Sequence, residues 1–227
     1  MLELLEKIMP NILDKPDTLV KSIQETLIMT LWSGVLIFIL GMFFGIILTV
    51  TKRGGICENG GVFQVLDKCI NFFRSIPFII LLTGLMPLSR LIVGTAIGVT
   101  GAIVPLVFGA TPFFTRQIEN AFAEVDPGLI EAAKAMGCSA PEMVFQVYIK
   151  ESIPGIARGT TITIISLLGL VAMAGAVGAG GLGDFAIRYG HDRNQVDVTY
   201  VTVIILVIFV SVIQYIGTII EKKNLHG

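Results

Sequence analysis

Charge is what this 227-residue chain has least of. Asp, Glu, Lys and Arg make up 15% of it, against about 25% in ordinary soluble domains, while 54% is hydrophobic. The 16 Lys and Arg are balanced by 17 Asp and Glu, and a net charge of −1 offers no basic surface for nucleic acid. Cysteines are few and oddly numbered: Cys57, Cys69 and Cys138 have no metal-like spacing and no disulfide framework, so they read as small buried apolar residues. His191 and His226 stand alone, without the neighbours a metal site needs. No G-x-x-x-x-G-K-[ST] run occurs, so any nucleotide chemistry has to be supplied from outside. No catalytic residue and no metal ligand emerges, and the chain does not read as an enzyme.

What is present instead is length of apolar sequence. Crossing the hydrocarbon takes roughly 20 predominantly apolar residues. Residues 26–51 meet this without a charge and are stopped by Lys52 and Arg53. Four further spans are expected at 71–88, 91–115, 156–177 and 196–220, the last ended by Glu221, Lys222 and Lys223. Because 71–88 and 91–115 are broken by Pro and Gly, a re-entrant hairpin is the alternative for that pair. The acidic residues Glu3, Glu6, Asp14, Asp17 and Glu25 precede the first span, unlike the basic start of a cleaved leader, so the first helix is expected to be retained. Residues 1–25 then form an extracytoplasmic segment and 221–227 a cytoplasmic tail.

Orientation follows from the basic residues, which concentrate on the cytoplasmic side of bilayers. With the N-terminus outside, ten Lys and Arg fall inside and six outside. Arg74 is counted among the ten, at the inner edge of the second span, so no charge is expected deep in the membrane. Pro77, Pro105 and Pro112 interrupt the second and third spans, and small residues are dense at 94–110 and 169–183, where backbones can approach closely. Thr160, Thr161, Thr163, Ser166, Thr202, Ser211 and Gln214 either bond back to their own helices or line a path.

Between the third and fourth spans lies a polar stretch with its own helix signals. Asp126 followed by Pro127 is a helix start. Residues 131–136 are strong helix formers, and Gly137 is a natural stop. Ser139 and Glu142, three apart, match a capping box opening a second helix that runs to about Ser152, before Pro154. Leu129, Ile130, Ala133 and Met136 share one face of the first helix. So short a helix is marginal alone and needs something to hold it. The expected fold is an all-α integral membrane protein of five transmembrane helices, with a cytoplasmic two-helix loop at 126–154.

Glu131, Ala132 and Ala133, followed after three residues by Gly137, on a cytoplasmic loop before the penultimate span, resemble the EAA loop of ABC-importer permeases. One departure is visible: Lys150 stands where that family often has Pro, and Pro154 comes later. A narrower resemblance, to the methionine-importer branch, covers most of the chain from about residue 24 to 220. It rests on FRSIPFIILL (73–82), IVGTAIG (92–98), AIVPL (102–106), LIEAAKAMG (129–137) and GAVGAGGLG (175–183). The resemblance implies a multi-pass permease of the bacterial cytoplasmic membrane, working as a homodimer. Its implied partners are two cytoplasmic ATP-binding subunits, which hold the ATP so that this chain carries no cofactor, and an extracytoplasmic substrate-binding lipoprotein. The implied substrate is D- and L-methionine. Glu131, Ala132, Ala133, Gly137, Ser139 and Glu142 become the ATPase-coupling loop. Leu170, Met173 and Val177, with Ser166, become candidates for the gate between the two copies, with gap-filling the alternative for Met173.

Two motifs are set aside. Gly178-x-Gly180-x-x-Gly183 lacks the preceding strand of a dinucleotide site, and Gly181-Leu182-Gly183-Asp184 lacks the second intramembrane carboxylate that acid–base proteolysis needs. The competing functions are a permease for another amino acid or small solute, and an ion-coupled carrier. The second wants a central charge, which the expected spans lack.

Overall fold

Residues 9–224 are described by the structure, a computed structural model. Every regular element among them is helical. In chain order these are α1 (Pro10–Leu13), α2 (Pro16–Thr51), α3 (Gly60–Ser75), α4 (Phe78–Gly84), α5 (Met86–Val93), α6 (Gly98–Ala123), α7 (Pro127–Ala135), α8 (Ala140–Glu142), α9 (Ile149–Glu151), α10 (Ile153–Ala174), α11 (Gly181–Phe185) and α12 (Val196–Asn224). π-helical turns at Met143–Tyr148, Gly175–Ala179 and Ala186–His191 follow α8, α10 and α11. Among the described residues, four stretches are long and apolar enough to cross a membrane: Pro16–Thr51, Gly98–Ala123, Ile153–Ala179 and Val196–Asn224.

The helices differ from the expected spans at their ends, and the reasons are local. α2 starts at Pro16, ten residues before 26, because Pro at the first position and Asp17 in the first turn favour a helix start. The stretch expected as one span at 71–88 is three helices. α3 opens far earlier, where Asn59 Oδ1 accepts the Val62 N–H at 3.2 Å. It stops at Ser75 because Ile76 precedes a proline and is extended (φ −87°, ψ 124°). α4 then ends at Gly84, and α5 stops at Gly94, whose φ of 79° suits glycine. α6 begins at Gly98, seven residues later than expected, but continues beyond 115 through Arg116 and Glu119. Those two charges stay helical because they pair with each other at 2.6 Å, and Arg116 also pairs with Asp67 of α3.

Contacts divide the chain into two compact units. The first holds the chain through Val35, Pro77–Val107 and Ile164–Ile213. Within it, Asn11 donates from its backbone and side-chain nitrogens to the Asp197 carboxylate at 3.0 and 2.9 Å. Ile12, Phe185 and Val198 pack together beneath that contact. After α10 the backbone leaves helical geometry at Val177 (φ −110°, ψ 22°) and Gly178 (φ 93°). The next helix, α11, would begin with unsatisfied N–H groups. α2 supplies their acceptors: Glu25 Oε2 takes the Gly181 N–H at 2.7 Å and Thr26 Oγ1 takes the Leu182 N–H at 2.8 Å.

The second unit holds Leu36–Ile76, Phe108–Thr163 and the chain from Gln214. Here Phe114, Ile118 and Phe122 of α6 are buried. Gly41 and Gly45 of α2 admit Phe114 and Ile118, since a Cβ at either glycine would stand 2.5 or 2.6 Å from those side chains. Phe38 stacks on Phe114 with centroids 5.6 Å apart.

The return of the chain after the α10 break depends on Gly183, where a Cβ would lie 2.1 Å from the Ala172 carbonyl oxygen, a backbone atom that cannot swing away. Gly183→Ala is therefore expected to destabilise the protein by about 1–3 kcal/mol, read as a lowered thermal midpoint in detergent. Gly169→Ala, where nothing lies within 4 Å of a new Cβ, is the control expected to leave the midpoint unchanged or slightly raised, since Ala is the better helix former.

Candidate functional site

The polar stretch after α6 folds as a hairpin closed at its base. Its first helix, α7, begins where Asp126 Oδ1 accepts the Gly128 N–H at 2.8 Å. It ends where Gly137, at φ 81°, lets the Cys138 N–H reach back to the Ala133 carbonyl at 3.1 Å and its own N–H to the Lys134 carbonyl at 3.0 Å. This pair of bonds satisfies carbonyls the helix end would leave open. The second arm starts at Ser139, whose N–H and hydroxyl both donate to the Glu142 carboxylate, at 2.7 and 2.6 Å. It then widens into the π-turn Met143–Tyr148 and closes with α9. The helix continues through Lys150, the residue standing where the resembled family often has Pro, and gives way at Ser152 (φ −93°, ψ 6°).

Four contacts close the root of this hairpin, two from its second arm to α6 and two between α10 and the end of α6. The Phe122 ring meets Tyr148 edge-on with centroids 5.8 Å apart. Ser152 Oγ donates to the Ala121 carbonyl at 3.1 Å. Gly155 lies against Ala121, where a Cβ would stand 2.9 Å from the alanine methyl. Arg158 at the start of α10 donates to both Glu124 oxygens, at 2.9 and 2.8 Å, and its other nitrogen lies 3.9 Å from Glu221. Burial pushes the Tyr148 phenol above its ordinary value.

The residues singled out in the loop thus occupy distinct places. Glu131 and Ala132 are exposed on α7, Ala133 is buried against the hairpin, Gly137 forms the turn, and Ser139 with Glu142 holds the second arm. The shared face expected of Leu129, Ile130, Ala133 and Met136 is not uniformly covered, since Ala133 is buried while Met136 is 76% exposed. Phe145, on the second arm, is 64% exposed. Sequence reading missed Phe145, Glu124 and Arg158. The last two stand 34 residues apart and carry no motif that links them.

The second candidate set lies on α10 and the turn that follows. Ser166, Gly169, Met173 and Val177 recur at helical spacing, and all four are exposed, so they form one stripe. Leu170 is half-buried at its flank. Of the hydroxyls whose role was open, Thr160, Thr161 and Thr163 donate to the carbonyls four residues back, at 2.7, 2.8 and 2.7 Å, and Thr202 and Ser211 do the same. Ser166 makes no such bond among the described residues, and its hydroxyl is left on the open stripe.

Comparison with known proteins matches residues 41–225 to the family described as binding-protein-dependent transport system inner membrane component. The probable D-methionine transport system permease protein MetI of Vibrio cholerae is 43% identical over 92% of this chain and 93% of its own length. The D-methionine transport system permease protein MetI of Escherichia coli K12 is 46% identical over 66% of this chain and 69% of its own. Among solved structures, the inward-facing MetNI methionine ABC transporter in its CY5 native crystal form superposes with a TM-score of 0.90. That match has 44% identity and covers 92% of this chain and 98% of that one.

The Ser139 hydroxyl, and then the Ser139 N–H, hold the exposed Glu142 carboxyl below its ordinary value. A lowered carboxylate contributes stability that is complete above the ordinary carboxyl range and disappears as pH falls through the lowered value. Amide exchange across Ala140–Glu142 and Met143–Tyr148, corrected for intrinsic rate, is expected to quicken on acidification through that range. Glu142→Gln is expected to show the faster exchange at every pH and no such dependence.

Proposed function

The chain belongs to the family of binding-protein-dependent transport system inner membrane components, and from that premise we propose that it is the membrane-spanning permease of an ATP-driven methionine importer. The observation that carries this is the near full-length likeness to D-methionine permeases, at 43% identity over 92% of the chain. The likeness to a methionine ABC transporter at a TM-score of 0.90 supports it. Two copies of the chain work with two cytoplasmic ATP-binding subunits and an extracytoplasmic binding lipoprotein that delivers D- or L-methionine.

Five crossings describe the chain on this reading. α2, α6, α10 and α12 are four of them, and α3 with α4, broken at Ile76 and Pro77, is the second in order. The N-terminus is outside and the C-terminus inside the bacterial cytoplasmic membrane. This puts the hairpin in the cytoplasm, where Met136, Leu129 and Phe145 offer exposed apolar anchors to an ATPase cleft. Glu131 and Ala132 lie beside them on α7.

Energy reaches the path mechanically. Because Glu124, Ser152 and Phe122 fasten the hairpin, a shift of the ATPase cleft moves it as one body, and α10 begins directly at its end. Ser166, Met173 and Val177 line the path between the two copies, with Leu170 at its edge. Met173 is unbranched and polarizable, suited to a constriction that must open and reclose. ATP binding to the partner subunits favours one state of the bundle only by differing in affinity for the two states.

The reading is tested by methionine uptake in proteoliposomes holding this permease, its ATPase and its binding protein. Uptake that requires ATP inside and binding protein outside is expected, and uptake on an ion gradient without ATP sinks the proposal. The lever is tested separately at Glu124 and Arg158. Exposed ion pairs contribute only about 0–1 kcal/mol, so Glu124→Arg and Arg158→Glu should leave the thermal midpoint nearly unchanged. Each is expected to raise the ATP consumed per methionine several-fold, and the doubly exchanged chain to restore it.

A further inference from the structure

One charge lies deeper than the sequence placed it. Arg74 sits in the last turn of α3, and the ring of its neighbour Phe73 packs on Phe108 of α6 with centroids 5.6 Å apart. Phe108 lies ten residues along α6 from Gly98, ~15 Å at 1.5 Å per residue, which is about the middle of a ~30 Å hydrocarbon layer. The first charge on α6, Arg116, comes eight residues later. Arg74 is thus level with the uncharged middle of that helix, not with its cytoplasmic end.

The side of α3 that carries Arg74 is the one turned toward α6. Val62, Val65 and Phe72 are exposed at 44%, 72% and 62% on one face, which also carries the exposed Lys68 toward the α3 start and reads as the lipid side. Arg74 falls about 180° from Val65 at 100° per residue. It lies in line with Ile70, which is buried, and with Asp67, which is paired to Arg116. Asn71, one turn nearer the α3 start, is also engaged, accepting from Arg116 at 3.1 Å and donating to Asp67 at 3.1 Å. Arg74 itself is exposed and has no ion pair among the described residues. A charge at membrane depth is costly, almost always faces the bundle interior or a water-filled cavity, and marks a substrate or ion path. A guanidinium cannot give up its proton and so serves no proton relay, whereas its planar fork matches a carboxylate.

We propose that Arg74 is an anion-binding residue, holding the α-carboxylate of the amino-acid substrate as it crosses the membrane. This rests on the importer reading above and adds a substrate contact within the membrane. A lipid phosphate has the same chemistry, but the lipid stripe of α3 lies on the opposite face.

The test uses the full permease–ATPase complex without binding protein and measures equilibrium binding of radiolabelled L-methionine. Wild type is expected to bind it, with methioninamide, which lacks the carboxylate, competing at least ~10-fold less well. Arg74→Gln is expected to lose ~10-fold or more in affinity and Arg74→Lys less. Equal competition by methioninamide, or unchanged affinity in Arg74→Gln, overturns the assignment, and so does an absence of binding in a wild type that transports methionine. Because the first arm needs no variant, misfolding of Arg74→Gln leaves the test intact. Phosphatidylglycerol retained by wild type and lost from Arg74→Gln, with methionine binding unchanged, makes a lipid the occupant and overturns it equally. A wild type unable to import methionine in complete proteoliposomes counts instead against the proposed function.

Discussion

A backbone inside hydrocarbon has no water to fall back on, so every interruption of a helix must be answered by another part of the chain. The interruption after α10 shows the demand most clearly. Val177 and Gly178 abandon helical geometry, and α11 restarts at Gly181 with N–H groups that no preceding turn can satisfy. Glu25 and Thr26, 156 residues earlier, accept two of them. Gly180 and Gly181 are small enough to let those side chains in, since a Cβ at either would stand 2.6 or 2.8 Å from the accepting oxygens. The end of the exposed stripe at Val177 is therefore held by a cap from α2 rather than by its own helix.

Charges obey the same rule in the second unit. Arg116 remains within α6 because Asp67, Asn71 and Glu119 surround it. Arg158 joins the segment that enters the hairpin to the helix that leaves it. These contacts sit at the hairpin's root, whereas its tip keeps apolar side chains uncovered. On the proposed reading, a root tied by these contacts passes on a push received at the uncovered tip. A hairpin flexible at its base would absorb a push instead of passing it on.

Arg74 departs from this pattern, as a charge on the side of α3 turned toward α6 that has no ion pair among the described residues. Its isolation becomes intelligible if the missing partner travels through the protein. The same consideration separates this chain from an ion-coupled carrier. On the proposed reading the charge at depth is a guanidinium, which holds its proton permanently and so suits an anion rather than proton transfer.

The sequence alone determined whatever rests on bonds between near neighbours. Asp126 capping Gly128, Gly137 ending α7, and Ser139 meeting Glu142 span two to five residues each, and all were legible from residue type and spacing. So were the long apolar helices, because hydrophobic content needs no partner to be read. Only the tertiary structure decided where those helices end and which polar groups are spoken for. Whether Arg116 could remain helical depended on Asp67, 49 residues away. Whether Thr163 or Ser166 was left free depended on which way each hydroxyl turned. The depth of Arg74 depended on Phe73 finding Phe108. Pairing over such distances is chosen by packing in three dimensions, and no local pattern in the chain records it.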